Sequence, residues 1–247
     1  MTQPSHQNHY LKPIKFSIII PVFHEAKRIK ALVESIHQLE GLYHIECIVV
    51  DGSPSQDTLA VLTDTTVVRI NCRQGRGFQM NIGAAHAQGE ILMFVHADTM
   101  LPKNTLQLIE QTLKSGDYVG GAFSLHIQSR HPLLRIIAFL STLRSHLTRA
   151  PYGDQVIFIK KQYFDFVGGY RDIPLMEDVE LMRRIYKNGG KIRILPQTVL
   201  TSSRRWNAEG ILYTTVRDLV IITLYWLGVP AQKIARFYPW LNEEEHK

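Results

Sequence analysis

From Phe16 onward the chain alternates short, unbroken apolar runs with longer stretches whose apolar residues recur every three or four positions. Phe16 to Pro21 (FSIIIP) is apolar and β-branched, the pattern of a strand buried on both faces of a sheet. Ala26 to Leu39 follows with Ile29, Leu32, Val33, Ile36 and Leu39 at helical spacing. Ile45 to Val50 is a second strand that stops at Asp51-Gly52-Ser53. Asp57 to Leu62 reads as a short helix and Val67 to Ile70 as a third strand. A helix from Gly77 to Ala87, bounded by Gly89, leads to a fourth strand, Ile91 to Val95, which ends in His96-Ala97-Asp98. Strands alternating with helices predict an α/β fold with a doubly wound, mostly parallel sheet.

The second half is less regular. Tyr118 to Ile127 reads as a strand, and Leu133 to Leu147 as a helix with Arg135, Arg144 and Arg149 along or just beyond it. Gly153-Asp154-Gln155 precedes a strand at Val156 to Ile159, and Glu177-Asp178 opens a helix through Tyr186. Separate short strands are expected at Ile192 to Leu195 and Val199 to Ser202. One long helix is expected over Ala208 to Leu227, and a short one over Gln232 to Phe237. With no repeat or linker, the chain reads as one domain over 13–240. Its parts are a nucleotide-binding half (13–115), an acceptor-side half with a smaller sheet region (116–206) and C-terminal helices (207–240). Met1 to Lys12 is polar, lacks the apolar core of a signal peptide and reads as a disordered leader.

Composition narrows this only a little. In 247 residues, 45% are hydrophobic and 20% charged, which is ordinary for a globular protein. Cys47 and Cys72 are too few for a disulfide framework or a zinc site, which makes a reducing cytoplasm the expected location. The net charge of +6 favours polyanions, anionic lipid surfaces or phosphorylated small molecules without choosing among them. The longest apolar stretch, Leu219 to Val229, is too short to cross a bilayer.

Chemistry-bearing residues cluster at strand ends: His24 and Glu25, Asp51, then His96 and Asp98. In open α/β sheets the ligand crevice lies just outside those ends. Asp51 is placed to accept hydrogen bonds from a base or ribose, and equally to cap the following turn. His96 and Asp98 are placed to meet a cation on a diphosphate, or to cap a helix. Glu177 and Asp178 suit a helix N-terminus, and one of them suits a general base. Gly75-Arg76-Gly77 is not a dinucleotide fingerprint, because Met80 occupies the third glycine position. Arg73 and Arg76 remain candidates for phosphate oxygens.

Taken in order, the segments SIIIPVFHEA, VVDGSPSQDT, GRGFQMNIGAAHA, ILMFVHADTMLP, GDQVIFIKK and IPLMEDVELMRR resemble the inverting glycosyltransferases of family two, which have the GT-A fold. The resemblance is strongest to small bacterial members whose metal motif reads HAD. It implies transfer of a sugar from a UDP- or GDP-sugar to a hydroxyl acceptor with Mg2+ or Mn2+ as cofactor. Nucleotide contacts are implied for Pro21, Val22, Glu25, Asp51, Gly52, Arg73, Arg76, Gln79 and Asp98. Asp98 is the implied metal ligand, with His96 standing where the family has its first aspartate. Asp178 is the implied catalytic base. Gly153, Asp154, Gln155, Glu177, Arg204, Arg205 and Trp206 fall where the family shapes the donor sugar and acceptor. Ser202 replaces the glutamine of the Q-x-x-R-W element of processive synthases, which argues against processivity.

Two rival readings have specific requirements. A sugar nucleotidyltransferase needs a glycine-rich loop with a lysine after the first strand, and here that loop is Val22-Phe23-His24-Glu25. A non-catalytic nucleotide-sugar-binding module would have no use for both Asp98 and Asp178. The expected partners are the donor and an acceptor that is a small molecule, lipid or glycan, and not a nucleic acid. Aromatic and basic residues over Ile211 to Trp240 suit peripheral seating on the inner face of the membrane. They equally suit packing on the sheet or on a second subunit in a homodimer.

Overall fold

The computed structural model describes residues 16–237. The expected leader (1–12) and Trp240 lie outside those residues. The first half is β1 (Phe16–Val22), α1 (Ile29–His37), β2 (Ile45–Asp51), α2 (Asp57–Ala60), β3 (Val67–Asn71), α3 (Arg76–His86) and β4 (Ile91–Phe94). The second half is β5 (Thr99–Met100), α4 (Thr105–Lys114), β6 (Tyr118–Gln128), α5 (Pro132–Thr148), β7 (Ile157–Lys160), α6 (Lys161–Phe166), α7 (Glu177–Lys187) and β8 (Lys191–Ser202). Then come α8 (Arg204–Glu209), α9 (Ile211–Trp226) and α10 (Ala231–Ala235).

All strands among the described residues join one eight-stranded sheet in the order β3-β2-β1-β4-β7-β6-β8-β5. β1 pairs in parallel with β2 and β4, and β2 with β3, as the alternation predicts. β7 is antiparallel to both β4 and β6, so the second-half strands extend the same sheet and, among the described residues, form no second one. Phe16, Ile18, Ile20 and Val22 of β1 pack with α1 and α4 on one face. Ile19 packs with α3, α6 and α7 on the other. Because both faces are covered, the strand carries apolar residues at consecutive positions, with Ser17 the polar exception. Gly83 lets α3 lie close against β1, since a Cβ there would stand 2.4 Å from the Ile19 side chain.

Several elements depart from the sequence expectation. The two strands at Ile192 to Leu195 and Val199 to Ser202 are one strand, β8, whose register against β6 shifts between Phe123 and Ser124. Pro196 makes the run look broken, and the shift absorbs it. The helix expected over Ala208 to Leu227 is divided at Gly210, whose φ of +93° belongs to the left-handed region. The helices α4 and α6 and the two-residue β5 were not anticipated.

Candidate active site

The β1–β4 pair is where chain direction through the sheet reverses: α1 leads from β1 to β2 on one side, and β4 lies on the other. A cavity of about 730 Å³ opens beyond these strand ends, as the topology requires. Pro21 and Val22 line it from the end of β1, with Glu25 from the loop beyond. Arg73, Arg76 and Gln79 come from the start of α3 and the turn before it. His96 and Asp98 follow β4. Gly153 and Asp154, Glu177 and Asp178, and Arg204, Arg205 and Trp206 also line it.

Asp51, Gly52 and Gln155 do not line the cavity. Asp51 is fully buried; its Oδ1 accepts the Ser53 amide at 2.8 Å while Oδ2 has no hydrogen-bond partner. Gly52 backs onto Gln79, whose amide donates to Val22 O at 2.8 Å and Val50 O at 2.9 Å. Gln79 is thus a strut between the ends of β1 and β2. Gln155 donates to Phe123 O at 3.0 Å and accepts from Ser145 and the Tyr152 amide. It braces the turn that carries Gly153 and Asp154.

Asp178 sits in the first turn of α7 and is 6% exposed. Its Oδ2 accepts the Gly153 amide at 2.8 Å, and its Oδ1 has no hydrogen-bond partner. Burial, then the Glu177 carboxylate, push its pKa well above the ordinary carboxylate range, against the opposing pull of Arg76 and the Gly153 amide. Burial also raises Asp154, whose Oδ1 is unpartnered. The His96 Nε2 is buried without a partner. Burial, then Arg76, Arg204 and Arg205, lower the ring to about 3, so the imidazole is neutral.

Each cavity arginine is held by an acid. Arg204 grips both oxygens of Glu25, with Nη1 3.1 Å from Oε2, and its Nε lies 3.5 Å from Asp98 Oδ2. Arg205 pairs with Asp218 at 2.7 Å, Arg76 with Glu177 at 3.3 Å, and Arg73 with Asp172. Backbone strain is stored around the same place. His24, Met176 and Val156 have φ of 53°, 66° and 55°, and a β-branched residue there is an outlier that its surroundings must enforce.

Among the described residues, no group of three or more His, Cys, Asp or Glu side chains is arranged to enclose a metal. An open site is a different matter. Mg2+ and Mn2+ on a nucleotide take one or two protein ligands and complete their shell with phosphate oxygens and water. The Asp98 carboxylate and the unpartnered, neutral His96 fit that requirement.

Sequence reasoning did not find Asp172, Asp218, Ile221, Ile222 or Ala235, which also line the cavity. Asp218 carried a signal: it is the lone acid of the apolar α9 sequence. Ile221, Ile222 and Ala235 depend on where α9 and α10 dock, and Asp172 on the loop between α6 and α7.

The profile of glycosyl transferase family 2 matches residues 17–171. The chain belongs to this family. It is 26% identical over 185 residues to an uncharacterized glycosyltransferase of Haemophilus influenzae, covering 68% of this chain and 61% of that protein. It is 27% identical over 121 residues to an uncharacterized glycosyltransferase of a Nostoc species, covering 46% of this chain and 37% of the relative. The chain therefore spans less than two thirds of the length of either. Among solved structures it resembles Staphylococcus aureus TarS 1-349 in complex with UDP. The TM-score is 0.63 at 18% identity, over 76% of this chain and 60% of that one. It also resembles the mannosyltransferase PcManGT of Pyrobaculum calidifontis in complex with GDP-Man and Mn2+. There the TM-score is 0.56 at 21% identity, over 75% and 56% of the two chains. The fold is that of the GT-A glycosyltransferases.

Proposed function

We propose that this cavity transfers a sugar from a UDP- or GDP-sugar to a hydroxyl acceptor in one in-line displacement that inverts the anomeric carbon. One observation carries the reading: Asp178 Oδ1, Asp154 Oδ1 and His96 Nε2 are buried without hydrogen-bond partners around a single cavity. Leaving a buried polar group unpaired costs about 1–3 kcal/mol. Gathering several on one cavity is the expectation for groups that await a ligand.

Asp178 accepts the acceptor's hydroxyl proton. The freed oxygen electron pair forms the new bond to the anomeric carbon as the bond from that carbon to the diphosphate oxygen breaks. The nucleoside diphosphate leaves with that electron pair. A carboxylate made more basic by burial takes the proton more readily than an exposed one. Arg76, Arg204 and Arg205 face the charge that grows on the leaving group. Pro21, Val22 and Glu25 line the nucleoside end, with Asp51 behind them. A divalent cation held by Asp98 and His96 would neutralise the diphosphate, and the nitrogen ligand favours Mn2+ over Mg2+. The complexes of TarS with UDP and of PcManGT with GDP-Man and Mn2+ support this choice of donors and metal.

The test is Asp178→Asn in a screen of nucleotide sugars. Thermal stabilisation by UDP or GDP with Mn2+ is expected to persist while release of nucleoside diphosphate stops. Turnover equal to the parent protein overturns the base assignment. Absence of stabilisation by every nucleotide in the parent protein overturns the donor site.

A further inference from the structure

Two helices, α5 and α9, turn large apolar residues outward. In α9 the inward positions are Thr214, Arg217 and Ile221, and Arg217 is 8% exposed, paired with Glu209 at 2.6 Å and with Asp218. The outward positions Leu212, Val216, Leu219 and Val220 are half to three-quarters exposed, Leu212 reaching 77%. A water-facing helix has the opposite arrangement. In α5, Leu134, Ala138 and Ser145 turn inward, while Leu133, Ile136, Leu140, Leu143 and Leu147 form an exposed stripe, with Phe139 beside it at 65%. The two helices touch, and Ile137 and Ile211 pack on the same small core around Trp206. Large exposed apolar residues on two touching helices are an arrangement that a water-soluble surface rarely shows.

Charge indicates what covers it. From Gln128 to Gly153 the chain has no acidic residue but carries Arg130, Arg135, Arg144 and Arg149 with His131 and His146. From Leu219 to Phe237 it again has no acid and carries Lys233 and Arg236. Of these, all but the half-buried Arg144 are exposed. A second copy docking through α5 would bring arginines against arginines, with no carboxylate on the helix to pair them. An anionic lipid surface satisfies both the apolar stripe and its basic flanks.

We infer that the α5–α9 face is a docking surface for an anionic lipid bilayer. Seated there, α9 lies between lipid and cavity, because its Ile221 and Ile222 line the cavity wall while Leu219 and Val220 face outward. No helix among the described residues is long and apolar enough to cross a membrane, so the contact is peripheral. The inference is independent of the proposed reaction, since it concerns no residue of the base or metal site.

Flotation with vesicles tests it: phosphatidylcholine alone against phosphatidylcholine containing phosphatidylglycerol, at low and high salt. The full chain is expected to float with the anionic vesicles and to lose about tenfold or more of that binding on neutral vesicles or in high salt. Leu140→Glu and Leu219→Glu alter exposed positions, so each is expected to fold, which circular dichroism checks, and each is expected to cut binding by about tenfold. Should either fail to fold, Leu147→Gln and Leu212→Gln replace them. No flotation of the parent protein, or flotation that none of these substitutions weakens, overturns the inference. A lipid-free dimer by light scattering that Leu140→Glu dissociates overturns it too, because a second copy then covers the face.

Discussion

The amide of Gly153 donates to Oδ2 of Asp178 at 2.8 Å, and the absence of a side chain at Gly153 lets its α-carbon lie close to both that carboxylate and His96. A Cβ at Gly153 would stand 2.9 Å from Asp178 Oδ2 and 2.8 Å from His96 Nε2. The turn therefore sets both groups at once, the one proposed as base and the one proposed to lie beside the cation. Gly153→Ala must displace one of them. A misplacement of this kind is expected to lower transfer about 100-fold in a folded protein, read as kcat against an unchanged melting temperature. Near-normal turnover would show that neither group needs its observed position.

The raised pKa of Asp178 has a signed consequence for stability. Its folded pKa lies above its unfolded value, so the native state binds the proton more tightly. The stabilising contribution is complete below the unfolded pKa, about 3.9, and is lost as pH rises through the folded pKa. Asp178→Asn removes that loss. At neutral pH the variant is expected to melt higher than the parent, by roughly 2–4 °C for each kcal/mol relieved, while being inactive. Parallel melting curves across pH for the two proteins would contradict the burial of a strained carboxylate. Transfer itself is expected to rise with pH along a limb set above the ordinary carboxylate range.

Arg204 pairs with both Asp98 and Glu25, so on the proposed reading it competes with the cation for Asp98. Arg204 is 41% exposed on its side chain, so its hold on Asp98 is weak. Arg204→Gln is expected to tighten Mn2+ binding to the free protein about fivefold, the equivalent of roughly 1 kcal/mol. Calorimetric titration reads this directly. Unchanged or weaker Mn2+ affinity would place the cation elsewhere.

Gln79 tests the frame beneath the site. Gln79→Leu keeps the volume but withdraws both donors from Val22 O and Val50 O. Val22 O keeps the Gly52 amide at 3.0 Å, which limits the damage. A loss of about 1–3 kcal/mol in denaturant unfolding is expected, with an unaltered m-value. An unchanged midpoint would mean that the strand ends are held by the ladder alone.

Hydrophobic spacing by itself determined the parallel half of the sheet and the set of strand ends from which Glu25, His96 and Asp98 project. Those follow from local rules: a strand buried on both faces must be apolar throughout, and the residues just past it must lie on the rim. The ordered motifs also named the turn of Gly153 and the start of α7. Tertiary structure alone decided that Asp51 and Gln155 lie behind the cavity wall, and that β8 runs on through Pro196. It also decided that α9 turns Arg217 inward and Leu212 and Leu219 outward. Each depends on contacts between residues far apart in the chain: Gln155 against Phe123, β8 against β6, Arg217 against Glu209. Periodicity reports which residues share a face of an element, and only packing decides what that face meets.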